Sequence, residues 1–262
     1  MGHLYWQLND VWAAPTWSTI DASGQWKIAH YLAIRGTASI THPIGRAIVS
    51  RVRNRVLINW APPINPLEDD QIRLSVVCSP VLSFTLHPKV LFQSTDNLGP
   101  WRPNGCPLQV TNFTVEWLLS KCSSGVLTTI LENAMIQTKD TMVLLTPKEM
   151  AHLWPVAAGS IKVTSVRRVN ASSPEVQNPP FRWNQAFKVH LRAKSPELFV
   201  WLVIDPYLNL DGWFSSNAFN MLTCGKRVLF YFVQGRTAVS EKQLQKAIRV
   251  YTLASIASDR RS

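Results

Sequence analysis

The chain has 262 residues, 46% of them hydrophobic and only 16% charged, with a formal net charge of +11. That balance describes folded material with a sizeable core and excludes a largely disordered chain. Lys and Arg stand in ones and twos apart from residues 46–55 and the closing Arg260-Arg261, with no basic helix, so the charge reads as a solvated surface and no nucleic-acid partner is expected.

His3, Gln7, Asn9 and Asp10 interrupt any apolar leader at the start, and no run of about 18 apolar residues offers a membrane span. Read literally, the chain stays in the cytosol. Two glycosylation acceptors point the other way: Asn112, in Asn112-Phe113-Thr114, and Asn170, in Asn170-Ala171-Ser172, are of use only in the secretory pathway. Of the four cysteines, Cys106 and Cys122 flank a strand-like stretch and are candidates to pair in an oxidising lumen; free buried cysteines are the other reading. There is no metal-ligand spacing, phosphate loop or Gly-x-Ser-x-Gly elbow, so no cofactor and no metal are expected.

In chain order, residues 3–17 set Tyr5, Trp6, Trp12 and Trp17 beside Gln7, Asn9 and Asp10. A sugar ring suits that mixture, its C–H face lying on an indole while amides and a carboxylate take its hydroxyls; burial statistics taken alone favour core packing for any one of these aromatics. Leu4 to Leu8 reads as a short buried strand and 9–15 as the loop leaving it. In 25–34 the residues Trp26, Ile28, Ala29, Tyr31, Leu32 and Ile34 fit a short helix, with His30 in a structural role.

Residues 37–56, with Pro43, Gly45 and several arginines, read as a linker of uncertain structure. Strands follow at 56–60, 72–77 and 82–86, Arg73 and Ser75 alternating with Ile72, Leu74 and Val76, which suggests an immunoglobulin-like sandwich. A long loop spans 93–107, with Trp101 as its apolar anchor. Residues 115–119 make either a strand or one helical turn, and 126–131 and 141–145 are strands. Thr146, Pro147 and Glu149 form a helix start with a capping box. Further strands are expected at 161–166, 186–191, 199–204, 228–233 and 248–253, with a Pro- and Ser-rich loop at 170–180. Glu68, Asp69 and Asp70 read as a solvated acidic turn, and Glu116 and Glu132 have no identifiable partner.

Gly2 to Trp12, Ala14-Pro15-Thr16-Trp17, Gly24-Gln25-Trp26-Lys27 and His30-Tyr31 together resemble the last barrel strand and following helix of eukaryotic, lysosomal-type β-mannosidases, which are glycoside hydrolase family 2-like retaining exo-glycosidases. Phe199-Val200-Trp201-Leu202, Trp213 to Phe219 and Val228-Leu229-Phe230-Tyr231 resemble that family's closing β-sandwich, and Thr146-Pro147-Lys148-Glu149 its Ser-Pro-Lys-Glu element. The resemblance implies a mainly β chain: the last strand and helix of a (β/α)8 barrel at 1–36, then two immunoglobulin-like β-sandwich domains, at 37–157 and 158–262.

It also implies that Trp6 lines the pocket for the terminal mannose, with Asn9, Asp10, Trp12 and Trp17 as further substrate-binding candidates and Asp10 hydrogen-bonding locally, not acting as nucleophile. The implied parent enzyme removes terminal non-reducing β-D-mannose from glycoprotein oligosaccharides in the lysosome. Its two catalytic glutamates belong to earlier barrel strands, outside this chain, which alone is expected to be inactive. In Phe214-Ser215-Ser216-Asn217-Ala218-Phe219, Ser216 and Ala218 replace the family's Asp and Gly, which sets the turn geometry in question because Gly is preferred where φ is positive. The other function these residues allow is a non-catalytic carbohydrate- or partner-binding β-sandwich protein. Oligomeric state is not encoded in any feature of the sequence.

Overall fold

A computed structural model describes residues 7–12, 16–37, 44–63, 72–80, 89–94, 108–122, 125–146, 148–150, 161–170, 173, 176, 182–222, 224–235 and 237–255. The strand proposed at 82–86, most of the loops at 93–107 and 170–180, the acidic turn at 68–70, Cys106, Pro147 and Trp6 lie outside the described residues. Two compact units emerge: Arg35–Pro155, and Met1–Ile34 together with Val156–Ser262.

In the first of these, β1 (Arg46–Val52), β2 (Arg55–Ala61) and β5 (Leu108–Thr114) form an antiparallel sheet in the order β1-β2-β5; β3 (Arg73–Pro80), β4 (Lys89–Gln93), β6 (Gly125–Glu132) and β7 (Gln137–Val143) form a second, in the order β4-β3-β6-β7. The period-2 pattern decides which side chains meet. Val56, Ile58 and Trp60 of β2 are buried against Leu74, Val76, Leu127 and Leu131 of the opposite sheet, a sandwich core drawn from both layers. Trp60 also donates its indole N–H to Ile44 O, at 3.1 Å.

The stretch read as a linker is instead a hairpin. Val52 pairs with Arg55 across a two-residue turn, with Arg53 at φ 54° in the position where such turns usually place glycine. Two of its arginines are tied down: Arg46 reaches Asp140 at 3.3 Å and Arg51 donates to Leu144 O at 3.2 Å. The ambiguous residues after 114 form α2 (Val115–Lys121), because Thr114 accepts from Trp117 N and caps the turn. Thr146 and Glu149 form the expected reciprocal cap: Glu149 accepts from Thr146 N and Oγ1, both at 2.7 Å, and donates its own N–H to Thr146 Oγ1. The cysteine pairing differs from the expectation: Cys122, at the C-cap of α2, is bonded to Cys78 of β3.

The other unit is also two-layered. β8 (Lys162–Val169), β9 (Gln185–Ala193), β13 (Gly225–Val233) and β11 (Gly212–Phe214) run in the order β11-β13-β9-β8, opposite a sheet ordered β12-β10-β14, of β10 (Glu197–Ile204), β12 (Phe219–Met221) and β14 (Ile248–Tyr251). Phe187, Val189, Leu191, Leu229 and Tyr231 meet Val200, Leu202, Ile204 and Ile248 in the core. The apolar run at 199–204 is thus the central strand of its sheet, as its composition suggests. α3 (Glu241–Ala247) starts at a Ser240–Gln243 capping box. α1 (Ile28–Thr37) begins later than the apolar pattern indicated and sends Tyr31 into this core.

The Phe214-to-Phe219 turn keeps positive φ without glycine: Ala218 sits at φ 51°. A side chain there costs roughly 1–2 kcal/mol, of which glycine's greater unfolded-state freedom would return part. Ala218→Gly is therefore expected to stabilise the protein by about 1 kcal/mol, read as a rise in the urea midpoint at unchanged slope.

Candidate functional site

Segment 7–30 folds back on itself. Asn9 bridges Ile20 in parallel, Ile20 bridges Trp26 antiparallel, and Asp10 N→Ile20 O (2.9 Å), Thr19 N→Leu8 O (3.0 Å) and Lys27 N→Thr19 O (2.8 Å) hold the fold. Asp10 lies beneath it, 6% exposed. Its carboxylate accepts from Lys27 Nζ at 2.8 Å, from Gln7 Nε2 at 3.3 Å and from the Thr16 hydroxyl, while Lys27 also donates to Ser18 Oγ at 2.8 Å.

The hydrogen bonds from Lys27 and then Thr16 hold the Asp10 carboxyl down at about 2. A group so stabilised as an anion is a poor proton carrier near neutrality, and its chemistry here is anchoring. Because the folded pKa is depressed, the native state binds fewer protons than the unfolded chain. Asp10's contribution to stability is then complete above the ordinary value of 3.8 and is lost as pH falls towards about 2. Asp10→Asn should lower the thermal midpoint by a constant amount above pH 4, with the gap to the parent chain closing on acidification towards pH 2, as roughly one carboxyl's protonation requires.

Trp26 joins the segment to the sandwich. Its ring stacks on Trp213 (centroids 5.5 Å apart, planes at 14°) and meets Tyr31 at 5.2 Å, and the Tyr31 hydroxyl accepts from Phe214 N at 3.0 Å. His30 is buried, with Nδ1 3.0 Å from Thr19 Oγ1, and desolvation lowers its pKa: the structural role expected of it.

Of the predicted sugar contacts, Asn9 is exposed, with Nδ2 3.4 Å from Asp10 O, and Trp12 and Trp17 are 65% and 89% exposed. They and Asp10 share one folded-back segment, three at its surface and one below. Leu8, expected in a buried strand, is half exposed and outside any strand. The partners of Asp10 went unrecognised in the sequence: Thr16, Ser18 and Lys27 follow it at no motif spacing, and only the chain reversal gathers them. Asn112 is exposed on β5, within 3.3 Å of Arg55, and Asn170 is exposed at the end of β8. Among the described residues no group of three His, Cys, Asp or Glu could hold a metal, and no helix is long and apolar enough to cross a membrane.

Comparison with known proteins supplies the family context. Residues 171–256 match an immunoglobulin-fold domain model, Ig_mannosidase. A β-mannosidase of Rattus norvegicus is 24% identical over 98% of this chain and 26% of its own length. A probable β-mannosidase of Caenorhabditis elegans is 75% identical over a 32-residue stretch, 12% of this chain and 4% of that protein. This chain is similar to the C-terminal part of β-mannosidases. It spans about a quarter of the curated β-mannosidases that it matches along nearly its whole length. The likeness extends to fold: the crystal structure of a β-D-mannosidase from Dictyoglomus thermophilum covers 94% of this chain with 25% of its own, at a TM-score of 0.56 and 13% identity.

Proposed function

We propose that this chain is the C-terminal part of a β-mannosidase-like retaining exo-glycosidase that removes terminal non-reducing β-D-mannose from glycoprotein oligosaccharides, in the lysosome. The alignment to β-mannosidases along 97–98% of the chain carries the reading. In it, residues 1–36 are the last barrel strand and helix, Trp6 is the sugar platform, and Asn9, Trp12 and Trp17 border the pocket. Asp10, through Lys27, holds the loop in shape. The sandwiches at 37–157 and 158–262 brace the barrel, and the acid/base and nucleophile, roughly 5 Å apart, come from outside this chain. The buried Cys78–Cys122 disulfide and the exposed Asn112 and Asn170 suit an oxidising, glycosylating compartment.

The test is hydrolysis of an aryl β-D-mannoside by this chain alone and by the longer polypeptide that contains it. The expected outcome is turnover only by the longer form, lost in Trp6→Ala. Hydrolysis by this chain alone, or a longer form that leaves β-mannosides intact, defeats the reading. The exposure of Trp12 and Trp17 favours a second reading, non-catalytic carbohydrate binding. In that case oligosaccharide would protect tryptophan fluorescence while neither form showed turnover.

A further inference from the structure

Within the unit that holds the N-terminal segment, an open hollow of about 700 Å³ is walled by Ser23, Trp26, Asn209, Asp211, Trp213 and Gln234. We infer that it is an accessory binding site for a neutral oligosaccharide, lined by none of Asn9, Asp10, Trp12 and Trp17. The inference goes beyond the hydrolase reading, because such a site would hold a glycan without cleaving it.

The volume lies in the range of about 300–1,000 Å³ typical of small-ligand sites. The half-buried indole of Trp26, backed by the buried Trp213 stacked on it, provides an apolar wall, and two side-chain amides, a hydroxyl and one carboxylate provide hydrogen-bonding groups around it. Asp211 is the one charged residue among the described residues of the lining. That carboxylate repels an anion, whereas the hydroxyls of a neutral ring donate to it.

Glycine keeps that carboxylate uncovered. A Cβ on Gly24, which sits at φ +81°, would come within 3.3 Å of Asp211 Oδ1, and one on Gly235 within 3.7 Å of Oδ2. The walls are also fixed in advance, which lowers the ordering cost of binding. Asp21 Oδ1 accepts from Ser23 N, Ser23 Oγ and Gln25 N; Gln234 N donates to Asp211 O at 2.9 Å; Asn184 Nδ2 holds Gln234 O at 2.7 Å and Gly235 O at 3.2 Å. Asn209 takes the left-handed conformation, φ 42°, its N–H bonded to Pro206 O.

The test is titration of the full chain with β-1,4-mannotriose, followed by calorimetry and by the indole N–H resonance of Trp26. A Kd on the order of 1 mM with a shift of that resonance is expected, weakened about tenfold in Asp211→Asn. Gly235→Leu, which fills the hollow at a residue without positive φ, should abolish binding with the unfolding midpoint kept within about 2 °C. No binding at tens of times that concentration, on the order of 30 mM, overturns the site. So does binding that survives Gly235→Leu in a folded protein, as attachment at Trp12 or Trp17 would. Should Gly235→Leu not fold, unchanged affinity in Asp211→Asn decides against it. Hydrolysis enters none of these readouts.

Discussion

Cys78→Ser with Cys122→Ser is expected to destabilise the Arg35–Pro155 unit by about 4 kcal/mol, the loop-entropy value for a closed loop of this length. The bond ties β3 to the end of α2 across a sequence separation of 44, with Cα atoms 5.8 Å apart, inside the range that a disulfide spans without moving the backbone. Both cysteines are 3% exposed and belong to the same core cluster as Leu74, Leu118 and Leu127, so two hydroxyls would also be buried where sulfur had been. With a urea slope of about 1.5 kcal/mol/M, the unit's midpoint should fall by roughly 2–3 M. Reductant should bring the unmodified chain most of the way to the midpoint of the double variant, which also buries the two hydroxyls, while the transition of the other unit stays in place. A midpoint indifferent to reductant would show that the bond contributes nothing. The result also bears on compartment, because a domain that leans this heavily on a disulfide is poorly matched to a reducing cytosol.

Where the sequence was legible, one physical signal dominated. At 186–191 and 228–233, alternation and apolar runs marked β9 and β13, because strand burial repeats every two residues. The cap at Thr146 and Glu149 was legible because both partners lie within four residues. The hairpin at 46–61 was hidden: Arg46 and Arg51 interrupt the apolar residues of its first strand, and Arg53 occupies a turn position where glycine is the usual signal. The Cys78–Cys122 pair was hidden for another reason, since which cysteines meet depends on how β3 packs beside α2, and spacing carries no record of that. In the candidate site, Asn9, Trp12 and Trp17 were legible from their density of aromatic and amide groups and from the family resemblance. The Asp10–Lys27 anchor was not, as it exists only after the chain reverses through Ile20. The Ala218 turn shows the opposite case, in which the loss of glycine suggested a changed geometry and the surrounding hydrogen bonds hold the left-handed residue all the same.

Those bonds converge on Asn217, 1% exposed, which should be among the most sensitive polar residues in the molecule. Its Oδ1 accepts from Leu202 N at 2.8 Å and Ala218 N at 3.1 Å, and its Nδ2 donates to Leu202 O at 2.8 Å. The same side chain hydrogen-bonds the Tyr31 hydroxyl, whose pKa burial pushes up to about 12. One amide thus satisfies both backbone groups of a central β10 residue, fixes the Phe214-to-Phe219 turn, and joins both to α1. Asn217→Ala leaves the Leu202 N–H and C=O buried without partners, at about 1–3 kcal/mol each, so a loss of about 4 kcal/mol is expected. Asn217→Asp keeps the acceptor, removes the donor and buries a charge, and should be no better tolerated. Two measurements separate this from ordinary core damage. Hydrogen exchange at the Leu202 and Phe214 amides should accelerate in Asn217→Ala beyond the global loss of stability, because their acceptors are Asn217 itself and the Tyr31 hydroxyl that Asn217 steadies. Trp26 fluorescence should shift as the segment carrying Tyr31 loosens from the sandwich. A loss below about 1 kcal/mol, the net value of a single ordinary hydrogen bond, would mean that water replaces the amide and that the packing of Trp26 and Tyr31 holds the N-terminal segment without it.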